Sequence, residues 1–447
     1  MKRKFYAGSL ALMAFLSTET LAGEFPLTKG GKPTKKKNML REMPNSYFEK
    51  ETKEAVADSA APVGEAEFKP SFQVGSIVHM MASYSQVGYP GSAPSTNGKP
   101  EDWVKGMSLY RGRILVGGQL SKKGSFFLET ELPFPIGSSG SNVGGKNSQA
   151  YIVMLDCQYE HVFKPWLQVV AGSQLVSGNR NGLQGAASLM ANDFTFYQYA
   201  YNTFAYNPGH VLNSNYGRDI GVNFRGMLLK DKLEYRLGFF TGRYKNGDEP
   251  LRTVGRVVYN FLDADKSYYY SGTNLGKGKT ISLGLGADGQ ATYMNVGPDL
   301  FVDVPVGPGS ITLNTAYQYI TGGTNTTSTF TYATSIPTSA ATLGELGYYF
   351  PSVKLQPWIR FENYTVNAAS EQAGGATGDA LTAFNKSKSS TVFGGGLNYF
   401  FNGYGTNLRL SYVTKTATSA VVSPTGGVET ETKSYGQAWL QLQFFLF

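Results

Sequence analysis

Cys157 is the only cysteine in this 447-residue chain, so no intramolecular disulfide can brace it. Histidine is nearly as scarce. His79, His161 and His210 lie far apart, and none falls in a metal-ligand spacing such as His-Glu-x-x-His. Gly-x-x-x-x-Gly-Lys-[Ser/Thr] is absent, as is Gly-x-Ser-x-Gly, which removes a nucleotide-phosphate cradle and a nucleophile elbow. These gaps leave no catalytic residue, metal site or cofactor to assign, and the chain reads as a non-enzyme. Long apolar runs are missing too. After Leu16 nothing approaches the ~20 consecutive residues a spanning helix needs. That excludes a helical membrane bundle, although 41% of residues are hydrophobic and the mean hydropathy is −0.23.

Aromatic residues and glycine are what the chain has in plenty: 29 Tyr, 28 Phe, 4 Trp and 54 Gly. Tyr and Trp carry an apolar ring with a polar tip and suit a membrane interface. From Ser71 onward the sequence repeats about ten residues of alternating character, then a turn. In Thr391–Phe401, Leu397, Tyr399 and Phe401 share one face, while Gly396, Asn398 and Phe400 share the other. Thr406–Thr416 and Tyr435–Phe447 repeat the pattern. Strands of roughly 9–11 residues that alternate between lipid and lumen are the mark of a transmembrane β-barrel.

Sixteen such segments can be counted: Ser71–Tyr84, Met107–Leu120, Ser125–Phe134, Gln149–Tyr159, Trp166–Leu175, Arg218–Leu229, Leu233–Gly242, Thr253–Leu262, Thr280–Thr292, Pro298–Val306, Ile311–Thr321, Thr342–Phe350, Leu355–Val366, Thr391–Phe401, Thr406–Thr416 and Tyr435–Phe447. The reading is therefore all-β, a transmembrane antiparallel barrel of about 16 strands, an even number with room for an aqueous lumen. Tight connections such as Lys230–Lys232, Pro351–Lys354 and Asn402–Gly405 alternate with longer polar ones such as Gln86–Lys105, Gly322–Ala341, Asn367–Ser390 and Ala417–Ser434. Short periplasmic turns and long outer loops are the expected asymmetry. Asp263–Gly278 breaks it, being long and Tyr-rich on the short side; either it folds into the periplasmic mouth or the count slips there. In the last strand, Leu440, Leu442, Phe444 and Leu446 form the apolar set, and Phe447 is out of phase with them.

The ends of the chain have their own character. Lys2-Arg3-Lys4, the apolar Phe5–Leu16 and Thr20-Leu21-Ala22 read as a signal peptide over 1–22. No cysteine follows to take a lipid anchor. Residues 23–70 show no alternation and read as a periplasmic N-terminal extension, disordered or partly helical, with 71–447 forming the barrel. The formal net charge is +8. Residues 1–70 hold 12 basic and 9 acidic side chains, leaving 28 and 23 for the rest. A mildly basic barrel is no signal for nucleic acid. Cys157, set among Tyr151, Val153, Leu155 and Tyr159, reads as a lipid-facing packing residue.

One stretch has a recognisable form. A strand ending in Gly172-Ser173-Gln174 is followed by a long loop, then by Gly217-Arg218-Asp219-Ile220-Gly221-Val222 and Asn223-Phe224-Arg225-Gly226, running on to Lys232–Phe240. With Gly394–Phe401 and Asn407-Leu408-Arg409-Leu410, this resembles the phosphate-selective porin O and P family of bacterial outer-membrane channels. The resemblance implies a 16-stranded, typically trimeric porin whose third outer loop folds inward to narrow the pore. Here that loop is Val176–Tyr216, and the narrowing would involve Arg180, Phe194, Tyr197, Gln198, Tyr199 and Arg218. Many members place an arginine in the stretch matching Phe196–Gln198. This chain does not, so phosphate as the solute does not carry over.

Strand parity puts Arg111, Arg113, Glu129, Glu131, Arg225, Glu234, Arg236, Arg256, Arg360, Glu362 and Arg409 on the lumen face. An arginine on the lipid face at mid-depth costs about 2–4 kcal/mol, which fixes the orientation. Two readings of these charges stand: a field across the pore that screens permeants, or pairs that brace the wall. The loop's aromatic rings are likewise open to two uses, pinning the loop to the wall or offering stacking platforms to sugars. The sequence thus points to passive diffusion of small hydrophilic solutes across a bacterial outer membrane, with weak anion preference. Lipids and a homotrimer are the expected partners. A surface receptor or adhesin with a filled lumen is the alternative.

Overall fold

The computed structural model describes residues 68–89, 99–132, 152–176, 178–197, 217–242, 250–291, 293–321, 338–366, 389–422 and 428–447. The signal peptide and nearly all of the 23–70 extension lie outside them. Sixteen strands follow in chain order: β1 (Ser71–Gln86), β2 (Trp103–Gln119), β3 (Gly124–Glu131), β4 (Val153–Lys164), β5 (Leu167–Leu175), β6 (Arg218–Leu228), β7 (Leu233–Phe240), β8 (Arg252–Asn260), β9 (Thr280–Gln290), β10 (Tyr293–Val306), β11 (Gly309–Thr321), β12 (Ser339–Tyr349), β13 (Leu355–Val366), β14 (Ser390–Asn402), β15 (Thr406–Val422) and β16 (Val428–Leu446). Each pairs with its sequence neighbours, and β1 closes the barrel on β16, from Ser76↔Leu446 to Ser85↔Gln437. All the pairings are antiparallel. No sheet edge is left to aggregate or to carry unpaired backbone groups.

Alternation decides which side chains go inside. In β9, Thr280, Ser282, Asp288 and Gln290 are buried, while Ile281, Leu283 and Leu285 turn outward. The outward set is apolar around the barrel, with Leu285, Phe393, Leu410 and Leu446 all more than half exposed. Near the short turns it becomes aromatic: Tyr159, Phe163, Trp166, Tyr259, Phe261, Phe350, Tyr399 and Phe401 are exposed there. Cys157 is exposed on this outer face. An apolar band ended by a ring of aromatics is the surface a lipid bilayer covers.

The short side is tightly turned. Leu229, Lys230 and Asp231 all adopt positive φ between β6 and β7 (52°, 54° and 68°), a conformation that disfavours bulky side chains and is kept here by the strands on either side. Gly307 and Gly403 take the same region in their turns, with φ of 58° and 51°, at no steric cost.

Several boundaries depart from the sequence reading. The β9–β10 connection was expected at residues 293–297, but Tyr293 already pairs with Gln290. Pro298 marks the reason: it has no N–H, and the β10–β11 ladder skips Gly297 and Pro298, so a proline within a strand looked like the end of a loop. Residues 417–434 were expected as an outer loop. Instead β15 and β16 stay paired from Ala417↔Lys433 to Val422↔Val428. Thr and Val favour strand there, although the hydropathy pattern of a lipid-facing segment has ended. Phe447, out of phase with the outward set, turns inward and packs edge-on against Phe127.

Candidate functional site

Two segments enter the lumen, one from each mouth. From β5 the described part of the third outer loop, residues 178–197, runs along the inner wall in two short 3-10 turns, Asn181–Leu183 and Ala186–Ser188. Its start lies flat on β9. A Cβ on Gly286 would sit 1.6 Å from the Gly178 carbonyl oxygen, so only glycine fits that crossing. From the other mouth comes the β8–β9 connection, residues 261–279, whose Tyr268 and Tyr270 are buried. The anomalous Tyr-rich segment is therefore an inward arm, and the strand count does not slip.

The two segments join. The Gly185 N–H donates to the Tyr270 carbonyl at 3.0 Å, and the Tyr270 N–H donates to the Leu183 carbonyl at 2.9 Å. Arg180 adds an ion pair to Asp265 at 3.1 Å and a hydrogen bond to the Ser271 carbonyl at 2.8 Å. Its guanidinium lies over the Tyr270 ring at 4.5 Å and the Phe301 ring at 3.7 Å. Tyr270 also lies 4.5 Å from Arg236 and 5.4 Å from Arg256, ring centre to guanidinium. Burial raises the pKa of Tyr268, Tyr269 and Tyr270, with Arg236 pulling the first and third the other way. All three are neutral phenols at neutral pH. The Tyr270 hydroxyl donates to Glu234 at 2.9 Å.

The wall holds the third loop by its backbone. Arg360 donates to the Phe194 and Asp193 carbonyls at 3.1 and 2.8 Å. Glu362 accepts from the Phe196 and Tyr197 N–H groups at 3.0 and 2.9 Å. Arg409 donates to the carbonyls of Leu189 and Ala191 at 2.9 Å each and of Ala187 at 3.3 Å. Tyr197 stacks on Tyr364 with centroids 5.0 Å apart. That ring pins the loop to the wall.

Every charge assigned to the lumen by parity is buried on the inner face, and most are paired. Arg113 bonds Glu129 at 2.8 Å and Glu131 at 2.6 Å; Arg111 bonds Glu131 at 3.3 Å. Arg218 reaches Glu129 at 2.8 Å and Asp156 at 2.9 Å. Arg236 pairs with Glu234 at 2.7 Å, Arg256 with Asp299, and Arg360 with Glu345 at 2.6 Å. Arg225 donates to the Lys266 carbonyl at 2.6 Å. Of the residues expected at the constriction, Arg180, Phe194, Tyr197 and Arg218 make the contacts given above; Gln198 and Tyr199 lie outside the described residues. The carboxylates Asp156, Asp193, Asp219, Asp265, Asp288, Asp299 and Glu345, and the arginine Arg252, were missed by the sequence reading. Asp219 and Arg252 share the inward parity of Arg225 and Arg256 on their own strands. Asp156 is out of phase with the outward Cys157 and Tyr159, and Asp288, Asp299 and Glu345 are out of phase with the outward residues of their strands, so the same rule would have found them. Asp193 and Asp265 sit on loops, where no parity exists.

Comparison with solved structures gives the class. The chain resembles the outer membrane channel DcaP of Acinetobacter baumannii (10% identity over 84% of this chain and 97% of that one, TM-score 0.50). It likewise resembles OprB of Pseudomonas putida in its high-pH structure (10% identity, 84% and 94% covered, TM-score 0.52). OmpF of Salmonella typhi, solved with daunomycin, aligns at 12% identity over 84% and 97% with a TM-score of 0.50. At such identities the likeness is one of fold: a 16-stranded porin-type barrel. No family model and no curated protein matches the sequence.

Proposed function

We propose that the protein is a porin of the bacterial outer membrane through which small hydrophilic solutes diffuse passively. One observation carries this reading: a closed 16-stranded barrel whose outward face is apolar and whose inward face is charged. Charge of that density has a place inside a membrane only when turned away from lipid, paired or facing water, and the lumen of a closed barrel provides both. The constriction is assigned to the third outer loop, with Arg180, Phe194, Tyr197, Gln198, Tyr199 and Arg218, as in the phosphate-selective porin O and P family. The trimeric assembly of that family and a weak anion preference, from the basic excess of the barrel, belong to the same proposal. Because most lumen arginines already hold carboxylates, the preference should be small and should fade with salt.

Single-channel recording in a planar bilayer under a KCl gradient tests it. Steps in groups of three with a weakly anionic reversal potential are expected. In Arg111→Glu/Arg113→Glu the potential should move toward cations. A silent, correctly folded barrel would sink the reading in favour of a receptor with a filled lumen.

A further inference from the structure

The lumen contains a cavity of about 280 Å³ between Asn192–Phe196 of the third loop and the wall strands β2, β13, β15 and β16. Six aromatic residues line it: Tyr89, Tyr110, Phe194, Phe196, Trp358 and Trp439. Parity alone would send Tyr110 outward. A β-bulge corrects this, because His79 pairs with Arg111 while Met80 pairs with Leu109, so consecutive residues Tyr110 and Arg111 both face inward. Asp193 fixes them there, bonded by the Tyr110 hydroxyl and by Arg111 at 3.2 Å. The Tyr110 and Trp439 rings meet edge to face at 5.3 Å.

Three polar groups lining this cavity have no hydrogen-bond partner in the protein: Trp439 Nε1, Asn192 Oδ1 and Thr195 Oγ1. Asn192 and Thr195 are each only 3% exposed. A buried polar group left unpaired costs about 1–3 kcal/mol, and three around one cavity point to a ligand that pairs them. The Asn192 Nδ2 already donates to the Arg409 carbonyl at 3.4 Å, which leaves Oδ1 as the amide's open acceptor. They offer one donor, one acceptor and one hydroxyl that can do either, which is the complement of hydroxyl groups. The charges of the cavity are already matched: Arg111 holds Asp193 and Glu131, and Arg360 holds Glu345. An entering anion would have to displace those pairs, so a neutral solute suits the site better.

We propose that this cavity is a binding site for a neutral, hydroxyl-bearing ring of monosaccharide size, its carbon face against the aromatic rings and its hydroxyls on Trp439, Asn192 and Thr195. The volume agrees, being that of roughly nine waters at about 30 Å³ each. The proposal rests on the pore reading above and gives that pore a solute class.

The test uses the full-length protein in planar bilayers with D-glucose, its open-chain analogue sorbitol and inorganic phosphate. Glucose should lower the open-channel current saturably, while sorbitol gives only the bulk-viscosity decrease. Trp439→Phe and Asn192→Ala should each raise the half-blocking glucose concentration about three- to tenfold, as expected for one lost hydrogen bond. Each variant is scaled to its own open-channel current. Identical linear decreases with glucose and sorbitol in a conducting channel would overturn the site, as would saturable block by phosphate alone. If no current is seen, the pore reading fails and the site is judged separately by tryptophan fluorescence of the folded barrel. A saturable change on glucose titration then sustains it, and a flat titration overturns it.

Discussion

The two segments inside the barrel share anchoring of their backbone by wall arginines and differ in how much their side chains add to it. Residues 178–197 are fixed through their backbone, by Arg360, Glu362 and Arg409 reaching in from β13 and β15. The 261–279 arm is also held at its backbone, by Arg225 and Arg236 on the Lys266, Ser267 and Tyr268 carbonyls, and adds the side chain of Tyr270, whose ring lies among Arg180, Arg236 and Arg256. Backbone anchoring tolerates change in the loop's own sequence and depends on the wall. Side-chain anchoring does the reverse. A porin that changes solute by changing its loop would need the first kind at the constriction and could use the second as a fixed brace.

Removing each segment gives the largest contrast. Excision of 187–206 should raise single-channel conductance several-fold, and excision of 264–275 should raise it less, since the arm packs to one side against Arg225, Arg236 and Arg256. The reverse ranking would show that the arm is the narrower element. Next in size is Arg409→Met. It removes a charged donor from three loop carbonyls at about 1.5–3 kcal/mol per bond to a charged group, so a loss of roughly 3 kcal/mol or more in urea unfolding and a noisier open channel are expected. A quiet channel of wild-type stability would mean that Arg360 and Glu362 suffice. Smallest is the split at Tyr270. Tyr270→Phe loses the hydroxyl's bond to Glu234 and the longer one it accepts from Arg256, together about 1–2 kcal/mol. Tyr270→Leu also loses the ring between the arginines, each contact worth about 0.5–2 kcal/mol, and should destabilise the barrel further. Equal effects would show that the hydroxyl, not the ring, anchors the arm.

The barrel itself was legible because its signal is local. All sixteen strands were visible in order, since each needs only a run of alternation and a turn, and the facing of Arg113, Glu129, Arg360 and Arg409 follows from parity within one strand. Errors arose where a local rule met an exception. Pro298 inside β10 imitated a loop, and the Thr-rich ends of β15 and β16 stayed paired beyond the apolar band.

Sequence alone therefore determined a closed β-barrel with a charged interior, because the cost of placing charge against lipid is settled residue by residue along each strand. Tertiary structure alone decided what fills that interior. Arg180 meets Asp265 across 85 positions and Arg409 meets Leu189 across 220, and no periodicity links residues so far apart. The physical reason is closure: only when sixteen strands complete the ring do loops from both mouths share one confined space, where each buried charge and carbonyl must find its partner.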